Sequence, residues 1–126
     1  MLNRFDQASK LGIQARRWSD NTVFSINNTR FNINIQDYYS FKNLNEKWDK
    51  AKTAFDKAKL YCSSNTMFIN FLSGCYKPTP MQETVAKSMN KFYLDYISKN
   101  PKGCYGVVLF DFVEKEYCEK LINSNF

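Results

Sequence analysis

Strand-like and helix-like apolar patterns alternate along this chain, and this alternation constrains the fold more than any other feature. Residues 22–26 and 31–35 alternate apolar with polar side chains on either side of a turn-prone segment at 27–29. Such a pattern predicts extended structure with a tight reversal. Residues 67–72 and 105–112 are short apolar runs, typical of strands that are buried on both faces of a sheet. The chain therefore predicts a sheet whose strands are separated by helices.

Three other segments follow the 3.6-residue spacing of amphipathic helices. The first begins beyond Ser40, expected as its N-cap, and its apolar stripe consists of Leu44, Trp48, Ala51, Phe55 and Ala58. Several lysines, Lys47 among them, are expected to cover the solvated faces of that helix. A capping box at residues 79–82 starts the second helix, which stops before Pro101. Residues 114–123 predict a third helix, whose buried side chains are expected to be Tyr117, Leu121 and Ile122.

This order of elements indicates an α/β fold with parallel strands alternating with helices. Successive strand and helix units are joined by right-handed crossovers when the strands run parallel and the helices cover the sheet. A chain of 126 residues has the length of one domain. It is too short for a closed eight-stranded barrel, which typically needs ~250 residues. Two alternatives follow, a small open sheet or one part of a larger barrel.

Charge and motif content narrow the classes of partner. Lysine and arginine outnumber aspartate and glutamate by 18 to 12, and the net charge of +6 favours anionic partners such as phosphate esters or acidic lipid surfaces. The chain has no glycine-rich phosphate loop, nucleophile elbow or RNA-binding aromatic motif, so neither nucleotide chemistry nor a nucleic-acid partner is expected. No signal peptide or membrane span is visible, which leaves a soluble or a peripheral membrane location open.

The cysteines and the lack of histidine bear on metal and redox chemistry. The four cysteines are widely spaced, without a C-x-x-C pair, and the chain contains no histidine that could complete a zinc site. Structural or free thiols are therefore expected rather than a disulfide bridge or a metal site. Neither a metal nor any other cofactor is expected.

Polar residues lie near the carboxyl ends of the predicted strands, where parallel α/β folds build their active sites. Asp37 follows one strand, Ser73 follows another, and Asp111 lies within the apolar run 107–113. A carboxylate in such a run is costly to desolvate unless it is paired or hydrogen-bonded, so Asp111 is a candidate functional residue. Ordinary alternatives stay open: Asp111 can cap the next helix, Asp37 can end its strand in a turn, and Arg4 can be a surface residue.

Five separated stretches together resemble a known enzyme family. They are RFD at 4–6, WSDNTVF at 18–24, IQDYY at 35–39, INFLSG at 69–74 and GVVLFDFV at 106–113. In this order they resemble the carboxyl-terminal half of the bacterial-type phosphatidylinositol-specific phospholipase C catalytic domain, the X-domain. The resemblance implies a partial TIM barrel, with residues 1–126 as a single partial domain that forms the second half of the barrel.

The same resemblance implies a phosphoric diester hydrolase or lyase that acts on phosphatidylinositol lipids. In that family the inositol 2-hydroxyl attacks phosphorus and releases diacylglycerol and a cyclic inositol phosphate. Two histidines from the first half of the barrel act as general base and general acid. This chain has no histidine and begins at the strand that carries Arg4. It is therefore expected to lack the amino-terminal half of the barrel and to be unable to cleave phosphodiesters alone.

The resemblance also assigns roles to individual residues. Arg4 corresponds to an arginine that binds inositol hydroxyls, Asp37 to a carboxylate that accepts hydrogen bonds from the sugar, and Tyr39 to a ring that stacks on it. Asp111 corresponds to the carboxylate that orients the general-base histidine, a partner that this chain lacks. The expected partners are phosphatidylinositol or an inositol phosphate, a peripheral membrane surface and the missing half of the barrel.

Two alternatives compete with an incomplete enzyme. One is a non-catalytic module that binds inositol phosphates or anionic membranes through its basic surface and the same polar residues. The other is a free-standing small α/β protein whose motifs match by chance. Because half a barrel leaves sheet edges and apolar surface open, the incomplete-enzyme hypothesis also predicts that the isolated chain self-associates.

Overall fold

A computed structural model of the chain describes residues 20–27, 31–76 and 82–126. Six strands and three helices lie within these ranges. In chain order they are β1 (Thr22–Asn27), β2 (Asn32–Asp37), β3 (Ser40–Phe41), α1 (Leu44–Leu60), β4 (Thr66–Phe71), β5 (Cys75–Tyr76), α2 (Gln82–Lys99), β6 (Val107–Leu109) and α3 (Lys115–Asn123).

Four of the strands form one mixed sheet in the order β1-β2-β4-β6. β1 and β2 form the antiparallel hairpin that the alternating pattern predicts, and β2, β4 and β6 run parallel to one another. The α/β class with parallel strands alternating with helices is confirmed. β3 and β5 form a separate two-stranded parallel sheet. Strands of two residues are too short to carry a periodic signal, so the sequence does not predict them.

The helices cover one face of the sheet with an aromatic core. Phe55 of α1 lies at its centre, with ring centroids 5.5 Å from Tyr96, 5.8 Å from Tyr105 and 6.0 Å from Tyr93. Aromatic pairs at such distances add about 0.5–1.5 kcal/mol each to the free energy gained from burial. These contacts fix α1 against α2 and against the segment that leads into β6.

The opposite face of the sheet is only partly covered. Ile33 and Ile35 of β2 are buried there. Ile35 pairs with Ile69, which in turn pairs with Val107 of β6, so these side chains share one face. Val107 is nevertheless 47% exposed and Leu109 is 36% exposed. The prediction that this last strand is buried on both faces is wrong for the structure as described.

Strand β6 is also shorter than the apolar run that predicts it. Gly106 precedes it with φ of 72°, and a Cβ there would lie 2.3 Å from the carbonyl oxygen of Phe68, so only glycine fits. Phe112 has φ of 51°, which places it in the left-handed region and ends the extended chain. In α3, Tyr117 is buried as predicted, but Ile122 is 57% exposed and that part of the prediction is wrong.

The N-cap of helix α1 lies three residues later than the expected one. Ser40 belongs to β3, where it pairs with Cys75, so it cannot cap the helix. Asn43 is the N-cap instead, and its side-chain oxygen accepts a hydrogen bond of 2.9 Å from the amide of Glu46. Such caps contribute about 1 kcal/mol to helix stability.

A disulfide bond joins Cys62 to Cys104, with Cα atoms 5.3 Å apart. The expectation that the cysteines are structural or free thiols is therefore wrong for this pair, because the fold brings together residues 42 positions apart in sequence. Cys75 and Cys118 are free thiols. Within the described part of the chain, none of the helices combines the length and apolarity needed to cross a bilayer.

Candidate functional site

The carboxyl ends of the parallel strands bring two acidic residues to one edge of the sheet. Asp37 is the last residue of β2, and Asp111 follows β6 by two residues. β4 lies between these strands, so the two carboxylates flank its end. This edge is where parallel α/β folds bind ligands. Both carboxylates act electrostatically on the ammonium of Lys47, so each lies within electrostatic range of that group.

Lys47 of α1 is completely buried beneath this edge, with 0% of its surface exposed. Its Nζ donates hydrogen bonds to the carbonyl oxygen of Phe71 at 2.5 Å and to Oε1 of Gln36 at 3.2 Å. Burial lowers the pKa of Lys47 from 10.5 to about 7, against the opposing effect of Asp37 and Asp111. The expectation that Lys47 covers a solvated face is wrong.

Gln36 and Asn70 connect Lys47 to the ends of the central strands, and both side chains are buried. Nε2 of Gln36 donates to Oδ1 of Asn70 at 2.7 Å and to the carbonyl oxygen of Phe71 at 2.8 Å. The amide of Tyr38 donates to Oε1 of Gln36 at 2.7 Å. Because a satisfied buried network of this kind has one favoured arrangement, it fixes the chain at the ends of β2 and β4.

The two tyrosines after Asp37 are held at their hydroxyl groups. Tyr39 is part-exposed, and its hydroxyl donates a hydrogen bond of 2.7 Å to Oδ1 of Asp20. This bond raises the pKa of Tyr39 above its usual value. The hydroxyl of Tyr38 donates to Glu46 at 2.6 Å, so its ring is directed toward α1. Tyr39 therefore stands at the rim of the edge, while Tyr38 belongs to the packing beneath it.

Asp111 is carried by a turn that α2 holds in place. The buried side chain of Asn90 donates a hydrogen bond of 3.1 Å to the carbonyl oxygen of Asp111 and a longer one of 3.5 Å to that of Phe112. Phe112 is the residue with positive φ, a conformation that a bulky side chain adopts only when its surroundings enforce it. Asn90 is thus one of the groups that enforce it.

The segment after β4 is packed closely against its neighbours. The amide of Leu72 donates to the carbonyl oxygen of Leu109 at 2.9 Å, which extends the pairing with β6 beyond β4 itself. A Cβ at Gly74 would lie 2.6 Å from Cε1 of Phe41, so a side chain at Gly74 would displace that ring. The described residues contain no cluster of three potential metal ligands at this edge or elsewhere.

Comparison with solved structures identifies the fold. A phosphatidylinositol-specific phospholipase C from Staphylococcus aureus superposes with a TM-score of 0.77 over 90% of this chain, at 24% sequence identity. The chain has the fold of part of a phospholipase C barrel. Another structure of the S. aureus enzyme gives a TM-score of 0.78 at the same identity. The Listeria monocytogenes phospholipase C gives 0.57 over 75% of this chain, at 23% identity.

These structures confirm the predicted partial barrel and the resemblance in fold to phospholipase C. The chain spans 40% of the length of the S. aureus phospholipase C and 34% of that of the Listeria enzyme. No protein-family model and no curated protein sequence matches the chain. The likeness is therefore one of structure at low sequence identity.

The structure brings three of the four predicted site residues to one edge of the sheet. Asp37 and Asp111 lie at the carboxyl edge of the sheet, and Tyr39 lies at its rim. Arg4 lies outside the described residues. The binding role of Arg4, Asp37 and Tyr39 and the orienting role of Asp111 stay predictions.

Sequence reasoning misses two residues of this site, Lys47 and Asn90. Each could be found from its spacing, because Lys47 precedes the buried Ala51 by four residues and Asn90 follows the buried Ala86 by four residues. A polar residue in register with a buried stripe is a candidate for a buried hydrogen-bonding role.

Proposed function

We propose that this chain supplies the inositol-recognising part of a phosphoric diester hydrolase that acts on phosphatidylinositol lipids. The observation that carries the proposal is the phospholipase C fold, with Asp37 and Asp111 at the carboxyl edge of its sheet. At that edge a polyol can meet carboxylate acceptors, and the part-exposed ring of Tyr39 can offer it a flat wall. Arg4 would add a charged donor for the same hydroxyls.

The chain alone is proposed to be inactive. Phosphodiester transfer near neutral pH needs a proton acceptor and donor of suitable pKa, which histidine supplies most readily, and none of the 126 residues is a histidine. Lys47 has a suitable pKa, but its ammonium is buried and already donates to Phe71 and Gln36. Asp111 would then orient a histidine contributed by the amino-terminal half of the barrel.

The open edge of the sheet supports the proposal that the amino-terminal half of a barrel is a partner of this chain. Among the described strands, β6 pairs only with β4 and forms an edge of the sheet. Val107 and Leu109 expose apolar surface on that strand. Closing a barrel would pair this edge and cover that surface, since barrels leave no free strand edges.

A cleavage assay tests the catalytic part of the proposal. Phosphatidylinositol in mixed micelles would be incubated with the chain alone, with the amino-terminal half of a phospholipase C barrel alone, and with both. Cleavage is expected only with both halves, and Asp111→Asn should reduce it strongly in the mixture. Cleavage by the chain alone would contradict the proposed dependence on histidine.

A titration with myo-inositol tests the binding part separately. Chemical-shift changes of the chain are expected at the carboxyl edge in the wild type and should be lost in Asp37→Ala. The matched control is Asp49→Ala, which removes an exposed carboxylate from α1. Equal binding by both variants would remove Asp37 from the site.

A second candidate function is a non-catalytic module that binds inositol phosphates or anionic membranes. The net charge of +6 favours it, because a basic surface attracts anionic lipids. The lack of histidine is also compatible with it, because binding alone needs no proton transfer. Vesicles of phosphatidylcholine with added phosphatidylinositol or phosphatidylserine distinguish the two proposals. Salt-sensitive binding to both anionic lipids, with no cleavage after addition of the amino-terminal half, would favour the module.

A further inference from the structure

Lys47 is an unusual residue at this edge because a lysine is almost never fully buried without a charged partner in direct contact. Its two hydrogen-bond acceptors, Phe71 O and Gln36 Oε1, are neutral oxygens. The charged groups that act on it are Asp37 from β2 and Asp111 from the turn after β6. β4, which lies between them, contributes to this network the side-chain oxygen Oδ1 of Asn70 and the carbonyl oxygen of Phe71, both of which accept hydrogen bonds.

Packing alone does not account for a lysine at this position. The other buried residues of α1 are Ala51, Ala54, Phe55 and Ala58, so the buried side of the helix is otherwise apolar. An apolar side chain of similar volume would fill the space without the desolvation penalty of an ammonium. The lysine therefore provides something that an apolar residue would not, a positive charge beneath two carboxylates.

We propose that Lys47 is a positioning residue of the carboxyl edge. It ties the ends of β2 and β4 together through Gln36 and Phe71, and it supplies the positive charge that Asp37 and Asp111 share. It does not touch the ligand, since its side chain has no exposed surface. For the class of ligand affected, an inositol phosphodiester, the inference rests on the proposed function.

The charge state of Lys47 makes this role measurable. With Lys47 protonated, the three groups carry a net charge of −1, and with Lys47 neutral they carry −2. The lowered pKa of Lys47 places this change at about pH 7. An anionic ligand at the edge should then bind more weakly as the pH rises through 7, whereas a neutral polyol should respond much less.

The first test follows the backbone amide signals of the wild type by NMR between pH 5.5 and 9. The amides of Asp37, Tyr38 and Phe112 are expected to share one midpoint near pH 7, which should vanish in Lys47→Met and persist in Lys57→Met. The chain contains no histidine whose titration would interfere in this window. Absence of a shared midpoint in the wild type, or its survival in Lys47→Met, would overturn the proposal. If Lys47→Met does not fold, the wild-type titration still decides.

The second test compares two ligands over the same pH range. Glycerophosphoinositol is a phosphodiester of constant charge, and its affinity is expected to fall on the order of tenfold between pH 6 and 8, as one charge about 10 Å away predicts at an effective dielectric constant of about 20. The affinity for myo-inositol should change less than twofold. Equal pH dependence for both ligands would overturn the electrostatic role of Lys47. If the wild type binds neither ligand, the proposed function is wrong. The amide titration does not depend on a ligand, so it still tests the positioning role of Lys47.

Discussion

Replacing Lys47 with methionine should stabilise the chain and remove a specific dependence of its stability on pH. In the folded chain the pKa of Lys47 is about 7, below its ordinary value of 10.5. Between these two values the unfolded chain therefore holds more protons than the folded chain. Its free energy of unfolding must then rise with pH, by up to about 1.4 kcal/mol for each pH unit.

The size of the effect follows from the two pKa values. Below pH 6 the folded chain carries an ammonium whose burial costs about 5 kcal/mol, and between pH 7 and 9 the wild type should gain about 2 kcal/mol of stability. Lys47→Met removes this cost but loses the bonds to Phe71 and Gln36, each worth about 1 kcal/mol. The net result at pH 7 should be a gain of about 2 kcal/mol.

Urea unfolding followed by tryptophan fluorescence at pH 6, 7, 8 and 9 measures both the change of the free energy of unfolding with pH and the gain in stability of Lys47→Met. Desolvation raises the pKa values of Tyr93 and Tyr96, so their titration reduces stability only above pH 10 and leaves this window clear. Lys57→Met, on the exposed side of the same helix, should keep the wild-type slope. A wild type whose stability is flat from pH 7 to 9, or a Lys47→Met variant with the same slope, would refute the reasoning.

Three further predictions concern the rest of the fold. Cys62→Ser should lower the free energy of unfolding by about 4 kcal/mol, because the disulfide closes a loop of 42 residues, as chemical denaturation with and without reductant would test. Asn90→Leu should cost about 1–3 kcal/mol and broaden the NMR signals of the Asp111 turn, whose carbonyl it leaves unpaired. The isolated chain should self-associate through β6 in sedimentation experiments, and the amino-terminal half of a phospholipase C barrel should reverse this; a monomer at high concentration would contradict the open-edge argument.

The sequence predicts the order of elements well because each long element carries its own periodic signal. The stripe of α1 from Leu44 to Ala58 and the alternation in β2 are local patterns, and both are present in the structure. The limits of β6 depend instead on single backbone conformations at Gly106 and Phe112. Such conformations are set by close contacts with other elements, as the carbonyl of Phe68 shows for Gly106, and no local pattern reports them.

The candidate site is predictable only where it follows from strand direction. Asp37 and Asp111 could be placed at one edge because parallel strands end on the same side of a sheet. The disulfide between Cys62 and Cys104 and the burial of Lys47 both depend on which loops and faces the fold brings together. Because lysine is so commonly exposed, the residue type alone predicts that Lys47 lies on the solvated face. Only its position in register with Ala51 indicates that it is buried.

Lys47 and Asn90, which the sequence does not predict as site residues, each support one of the two predicted carboxylates. Lys47 on α1 fixes the backbone that carries Asp37, and Asn90 on α2 fixes the turn that carries Asp111. Both act from the helix layer, behind the sheet, so the helices rather than the ligand-facing residues hold the carboxylates in place. This arrangement needs no contribution from the open edge of β6. Recognition of an inositol ring at the carboxyl edge should therefore be separable from catalysis, since the first uses elements that pack within this chain and the second needs a histidine that the 126 residues do not supply.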